Sequence, residues 1–206
     1  MDRDELWRVI DDQRRTLTDQ LDSLTDAEWR RPSLCAGWTV RDVTAHLTFQ
    51  HIGVGTVLRG VVRARGNLDR AVRETTATKA ARPTGELIAE IRGQVGSRRH
   101  VPFVTDNEAL IDVLVHSQDI MLPLGRRHEM PPHAAAAAAA RIWSRPWLFS
   151  AMKELRGYAF VATDADFRVG TGRVIEGPIE AILLLLTGRR AALGRLSGPG
   201  VAELTA

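Results

Sequence analysis

The chain reads as mainly α: a four-helix bundle followed by a small α+β C-terminal appendage. Three observations predict this. Apolar residues recur at helical spacing in four segments before residue 130. Start and stop residues bracket those segments. After Pro131-Pro132 the pattern changes, and short runs rich in β-formers appear. The expected division is residues 1–130 as a bundle and 131–206 as a helical connection with a small α+β region.

Leu6, Val9, Ile10, Leu17, Leu21 and Leu24 predict a first helix over Asp4 to Leu24, with charge on its other face. Arg31-Pro32-Ser33-Leu34-Cys35-Ala36-Gly37 reads as a loop. Thr39 with Asp42 three residues on is a capping-box variant. It opens a second helix running to about Arg65, weakened at Gly53, Gly55 and Gly60. Gly66 to Pro83 is polar and poorly periodic, which predicts a long connection. Thr84 caps a third helix to about Arg98. Thr105 or Asp106 caps a fourth to about Leu122, stopped by Pro123 and Gly125. Such a bundle can hold a site between its helices.

Seven consecutive alanines, Ala134 to Ala140, predict a helix packed through small side chains. Arg145-Pro146-Trp147 starts another short helical piece. Tyr158 to Thr163 and Phe167 to Gly170 read as a hairpin around the turn Asp164-Ala165-Asp166. Gly177-Pro178 precedes an apolar helix to about Thr187, and a last helix spans Arg190 to Leu196.

At 206 residues, with 44% hydrophobic and 26% charged residues, the composition fits a soluble globular protein. The net charge of +3 is mild and the arginines are scattered, with no basic stripe or aromatic stacking set, which argues against nucleic acid as a partner. The longest apolar run, Ile179 to Leu186, is too short to span a bilayer. The single cysteine, Cys35, forms no internal disulfide, and no apolar leader follows Met1, so a cytoplasmic location is expected. A monomer and a homodimer are both compatible with the sequence.

The chemistry gathers on His46, Asp112 and His116. Asp112 and His116, four apart, share one helix face, and His46 lies on another helix. Asp112 interrupts the apolar run Leu110, Ile111, Val113, Leu114, Val115, and a buried carboxylate must be paired or bound to a metal. Two imidazoles and a carboxylate with an open fourth position make the pattern of a catalytic zinc site. A structural Asp112–His116 pair beside a core histidine is the competing reading. Asp42, Gln118 and Asp119 are candidates to orient the ligands, with helix capping the simpler role for Asp42. Cys35 precedes a helix, but no base for it can be identified. His51 is expected at the surface. His100, His128 and His133 fall in loop-like or Pro-rich contexts and are left outside the site.

The run from Arg31 to Leu47 resembles the N-terminal signature of mycothiol-dependent maleylpyruvate isomerase-like proteins, of the DinB-like metal-binding four-helix bundle superfamily. Val115-His116-Ser117-Gln118-Asp119-Ile120 resembles their second signature. The likeness extends to Ala162-Thr163-Asp164-Ala165-Asp166, Gly177-Pro178, Leu186-Thr187-Gly188-Arg189 and Leu196-Ser197-Gly198-Pro199-Gly200-Val201. It implies a divalent metal, usually zinc, on His46 and on an acid-xxx-His pair ending at His116. The isomerase has Glu as that acid, whereas this chain has Asp112, one methylene shorter. It also implies mycothiol as cofactor, a small-molecule electrophile as substrate, and an arginine of the C-terminal region meeting a substrate carboxylate, for which Arg189 is the candidate. Imidazole and carboxylate accept several divalent ions, so zinc, nickel and iron all suit the set. The sequence thus points to a metal-dependent enzyme using mycothiol or a similar low-molecular-weight thiol for isomerisation or thiol transfer. A non-catalytic small-molecule or metal-binding bundle is the alternative.

Overall fold

The structure is a computed structural model that describes the chain except for residues 52–54, 56–58, 60–61, 101–103 and 205–206. It is mainly α with a small three-stranded sheet near the C-terminus. The chain forms two compact units, Arg3–His128 and Glu129–Ala206 with Met1–Asp2.

In the first unit α1 (Arg3–Leu21) buries Leu6, Trp7, Ile10, Leu17 and Leu21 along one stripe. The short α2 (Asp26–Trp29) begins with a Thr25/Glu28 capping box. Thr39 caps α3 (Val40–Leu47), and the Asp42 carboxylate accepts from the Thr39 N–H at 2.8 Å. A 3-10 turn, Thr48–His51, follows at once. Then come α4 (Leu68–Ala80), α5 (Thr84–Arg92) and α6 (Asp106–Met121). Helix α1 packs on α5 and α6, and α3 packs on α4, α5 and α6. Leu17, Leu21, Val40, Val43, Ile91 and Ile120 form the core between them.

The structure corrects three readings here. The second helix is interrupted after Leu47 by the 3-10 turn; of its continuation to about Arg65 the described residues Gly55, Arg59, Val62 and Arg63 are helical, while Gly53 and Gly60 lie outside the described residues. The predicted connection from Gly66 to Pro83 contains α4, which Asn67 caps by accepting from the Arg70 N–H at 2.9 Å. Among its described side chains the buried ones are Ala71, Thr76 and Ala80, small residues that leave little apolar period to read. Helix α5 starts from Pro83 and stops at Arg92, short of Arg98.

In the second unit α7 (Pro132–Ser144) packs on α9 (Ile179–Leu186), with the short α8 (Met152–Leu155) between them in sequence. Ala134, Ala135, Ala138 and Ala139 are buried, so the alanine run is a close-packed face. Strands β1 (Tyr158–Ala162), β2 (Arg168–Gly170) and β3 (Arg173–Gly177) lie in the order β2-β1-β3. β1 is antiparallel to β2 and parallel to β3. Thr171 and Gly172 therefore carry the chain across the start of β1. Gly172 has φ 110°, and a Cβ there would meet the Gly157 carbonyl at 2.1 Å. Asp164, in the predicted turn, accepts from the Ile179 N–H at 2.7 Å at the start of α9. Neither β3 nor α10 (Pro199–Leu204) is anticipated by the sequence reading, and Arg190–Arg195 is 3-10 instead of α.

Candidate metal centre

His46 sits in the last turn of α3, and Asp112 and His116 lie one turn apart on α6. The packing of α3 on α6 brings them together. Asp112 Oδ1 lies 3.5 Å from His46 Nε2 and 3.4 Å from His116 Nε2. The two rings are 5.0 Å apart between centroids and near perpendicular, at 80°. Trp38 and Phe49 flank His46 at 5.3 and 5.2 Å. A tetrahedral ion with ligands at about 2.0–2.2 Å spaces its donors by roughly 3.3–3.6 Å. Both His–Asp separations match that edge, so the donor set fits a divalent cation.

Neighbouring groups fix the orientation of the donors. The Asp119 carboxylate, fully buried, accepts from His116 Nδ1–H at 2.7 Å and leaves Nε2 turned to Asp112. The thiol of Cys35 donates to the same Asp119 oxygen at 3.1 Å and lies 3.7 Å from His116 Nδ1. Gln50, in the 3-10 turn after α3, donates Nε2–H to Asp112 Oδ2 at 3.1 Å, so Oδ1 is the oxygen left to the imidazoles. His46 Nδ1 is buried with no hydrogen-bond partner among the described residues.

Cys35, His116 and Asp119 form a second group whose donor atoms also lie close together. At 2.7 Å the His116–Asp119 contact is shorter than two ligands of one ion would lie, and it is a hydrogen bond.

Burial pushes the Asp112 carboxyl up, but the contact from His46 and the charge of His116 outweigh it and hold the group down at about 2. Burial likewise lowers His116, but the bonds to Asp119 and Cys35 and the charges of Asp112 and Asp119 raise it to about 10. Without an ion the pair is imidazolium on carboxylate.

His46 and His116 line an open pocket of 250 Å³. Cys35, Ala36 and Trp38 form one side, and Val72 and Arg73 of α4 form another. Arg73 is exposed and has no ion-pair partner among the described residues. Val72 and Arg73 escape the sequence reading because α4 does, and Gln50 because it stands in a 3-10 turn. Asp119 is legible from its spacing of three from His116. Asp42 caps α3, the simpler of its two expected roles.

The remaining candidates lie elsewhere. Arg189 belongs to the second unit, directly after α9 and Gly188, and its Nη1 donates to the Thr187 carbonyl at 2.7 Å. His100 faces Asp106 at 3.5 Å. The side chain of His51 is outside the described residues. His128 is buried in the first unit, which its Pro-rich surroundings do not announce. Its Nδ1 meets Gln20 Oε1 at 2.7 Å and its Nε2 meets Gln13 Oε1 at 2.9 Å.

Known proteins share part of this sequence pattern and the fold. Residues 10–109 match the family described as Mycothiol maleylpyruvate isomerase N-terminal domain. No curated protein sequence matches significantly. Two crystal structures align over 97% of this chain and 94% of their own, each with a TM-score of 0.68. They are the mycothiol-dependent maleylpyruvate isomerase, 15% identical, and a mutant of it with one histidine changed to alanine, 14% identical. Residues 10–109 are thus similar to the mycothiol maleylpyruvate isomerase N-terminal domain, and the chain as a whole carries the fold of that isomerase.

Proposed function

We propose that the chain is a metal-dependent enzyme that uses mycothiol or a similar low-molecular-weight thiol to isomerise, or transfer the thiol to, a small electrophile. The spacing of Asp112 Oδ1 from two imidazole nitrogens, 3.4 and 3.5 Å, carries the metal part of this reading. The similarity of residues 10–109 to the mycothiol maleylpyruvate isomerase N-terminal domain carries the thiol part. His46, Asp112 and His116 are the holding residues. A divalent ion there supplies a Lewis acid that lowers the pKa of a thiol at the open position.

The chain's own groups set up that position. Asp119 fixes the tautomer of His116 by taking its Nδ1 proton. Gln50 holds Oδ2 of Asp112. Trp38 and Val72 give the pocket apolar walls, and Arg73 gives it one cation. Cys35 donates its proton into the Asp119 bond, which assigns it to support of His116 and away from nucleophilic attack. Arg189 is proposed to meet a substrate carboxylate.

The test is metal analysis of the wild type against His46→Ala and His116→Ala, together with turnover of a panel of electrophiles in the presence of mycothiol. Metal lost in both variants and thiol-dependent turnover in the wild type are the expected results. Equal metal content in all three proteins rejects the site. The rival, a binding protein without turnover, gains from the Asp112–His116 ion pair, which satisfies both groups without an ion. Turnover of any electrophile in the panel excludes it.

A further inference from the structure

The donors on the Nδ1 side of His116 differ in kind from those on its Nε2 side. Nε2 faces the Asp112 carboxylate, whereas Nδ1 faces Asp119 and the thiol of Cys35. Two separate pieces of chain build this cluster. Asp119 follows His116 on α6. The loop that carries Cys35 is docked on the same helix, because the Leu34 N–H donates to the Asp119 carbonyl at 3.1 Å. The Ser33 hydroxyl holds the loop's shape by accepting from the Cys35 N–H at 3.1 Å. Cys35 and His116 both line the open pocket, so an ion reaches them from solvent, while the Asp119 side chain is fully buried.

The spacing suits an ion once the protons are gone. Cys35 Sγ lies 3.7 Å from His116 Nδ1, near the roughly 3.6 Å edge between sulfur and nitrogen around a tetrahedral zinc-sized ion. The contacts of Asp119 Oδ2, 3.1 Å to Sγ and 2.7 Å to Nδ1, are shorter because each holds a proton. With both protons lost, the carboxylate faces two lone pairs. Drawing back by roughly 0.5–0.7 Å brings both contacts to ligand spacing. Charge balances in either state. Carboxylate, imidazolium and thiol sum to zero. A divalent ion on carboxylate, thiolate and neutral imidazole also sums to zero, with the thiol proton and the Nδ1 proton released to water. No uncompensated charge is left buried.

We propose that Cys35, Asp119 and Nδ1 of His116 are a second cation site, selective for thiophilic divalent ions such as cadmium, whose filling empties the first. Thiolate favours soft ions, and the first set offers only nitrogen and oxygen. Exclusion follows from the ring: a neutral imidazole gives one lone pair and keeps its proton on the other nitrogen. An ion on Nδ1 leaves that proton on Nε2, turned to Asp112, and His116 is lost to the first site. The competition rests on the reading of His46, Asp112 and His116 as holding residues; the second site does not.

Cadmium(II) is the probe. Cys35 is the one cysteine of the chain, so a thiolate-to-cadmium absorption band reports this site alone. Titration of the metal-free wild type should give that band, saturating at one equivalent. Cys35→Ser should abolish it, and Asp119→Asn should weaken it. His46→Ala, which strips the first site, should keep it at undiminished affinity. No band in the wild type overturns the proposal. A band lost in His46→Ala also overturns it, since cadmium would then sit in the first site with Cys35 merely added. If Cys35→Ser does not fold, the cadmium-113 resonance of the wild type decides, and a shift typical of nitrogen and oxygen ligands alone rejects the site. Cadmium added to the zinc-loaded wild type should release one zinc per cadmium bound, and zinc retained beside cadmium rejects the exclusion. A wild type that never takes up zinc rejects the first-site reading instead, and the cadmium band still decides the second.

Discussion

His116 and Asp119, three residues apart on α6, share a hydrogen bond of 2.7 Å in which the imidazole gives its Nδ1 proton to a carboxylate fully out of solvent. That bond decides which nitrogen of His116 faces Asp112. An amide in place of the carboxylate keeps the shape but gives up the charge that makes the ring a better donor. Asp119→Asn should therefore weaken zinc binding by roughly 10- to 100-fold with little change in the far-ultraviolet circular dichroism spectrum. Cys35→Ser, which keeps a donor to the same oxygen, should leave the affinity within a few-fold. Chelator competition on both variants reads the contrast, and equal affinities in Asp119→Asn and wild type would refute it.

A ligand that binds only the folded chain stabilises it, by about 2.7 kcal/mol at a hundredfold excess over Kd. For a chain of this size that corresponds to a rise in Tm of roughly 5–10 °C. Zinc should give such a rise in the wild type and almost none in Asp112→Asn, whose amide no longer offers an anionic oxygen between the imidazoles. Differential scanning calorimetry with and without zinc measures both. The same rise in the variant would show that the ion sits elsewhere.

His128 predicts a pH dependence. Burial lowers its pKa to about 4, from the usual 6.5, and among the described residues its ring nitrogens meet the amides of Gln20 and Gln13. Gln20 Nε2 donates to the Arg127 carbonyl at 2.7 Å, so its oxygen faces Nδ1–H, and Gln13 can turn its NH2 to Nε2. The folded protein thus keeps the ring neutral, while the unfolded chain takes up a proton below pH 6.5. The stabilisation is complete above pH 6.5 and fades as the pH falls toward 4, by up to about 3 kcal/mol. His128→Gln removes the titrating group and should flatten that part of the curve. Urea unfolding of both proteins between pH 7 and 4.5 compares the slopes, and parallel slopes would discount His128.

The alanine face of α7 leaves no spare volume. Ala138 is 1% exposed and lies among other buried alanines on the helix that packs against α9. Ala138→Leu should cost about 1–3 kcal/mol by overpacking, whereas Ala137→Leu, at a less buried position, should cost less. The urea midpoints of the two variants test the order, and a reversed order would contradict the packing.

Much of the bundle is legible in the sequence because its helices bury large side chains at regular spacing. Leu6 through Leu21 announce α1, and Thr39 and Asp42 announce the start of α3. The three donors are legible for a related reason: a carboxylate and an imidazole four apart in an apolar run demand a partner. What stays hidden is held by other means. Helix α4 buries Ala71, Thr76 and Ala80, and charges tie it down, with Lys79 and Arg82 paired to Glu90. Strand β3 is five residues that follow Gly172 and end in Gly177, and its parallel pairing with β1 depends on a crossing that Gly172 permits. Gln50 acts from a turn with no periodicity to mark it. Arg189 enters by resemblance and not by spacing.

The α4 wall has a consequence for how such a chain diversifies. Arg41 anchors the end of this helix to α3 through the Ala80 and Arg82 carbonyls, and Lys79 reaches the Thr48 hydroxyl at 2.8 Å. Val72 and Arg73 stand two turns upstream, exposed and outside those ties. New side chains can be tried at both positions while α3 and α6 keep their grip on one another. What a visiting molecule first touches, and what would hold an ion beneath it, are inherited on separate helices.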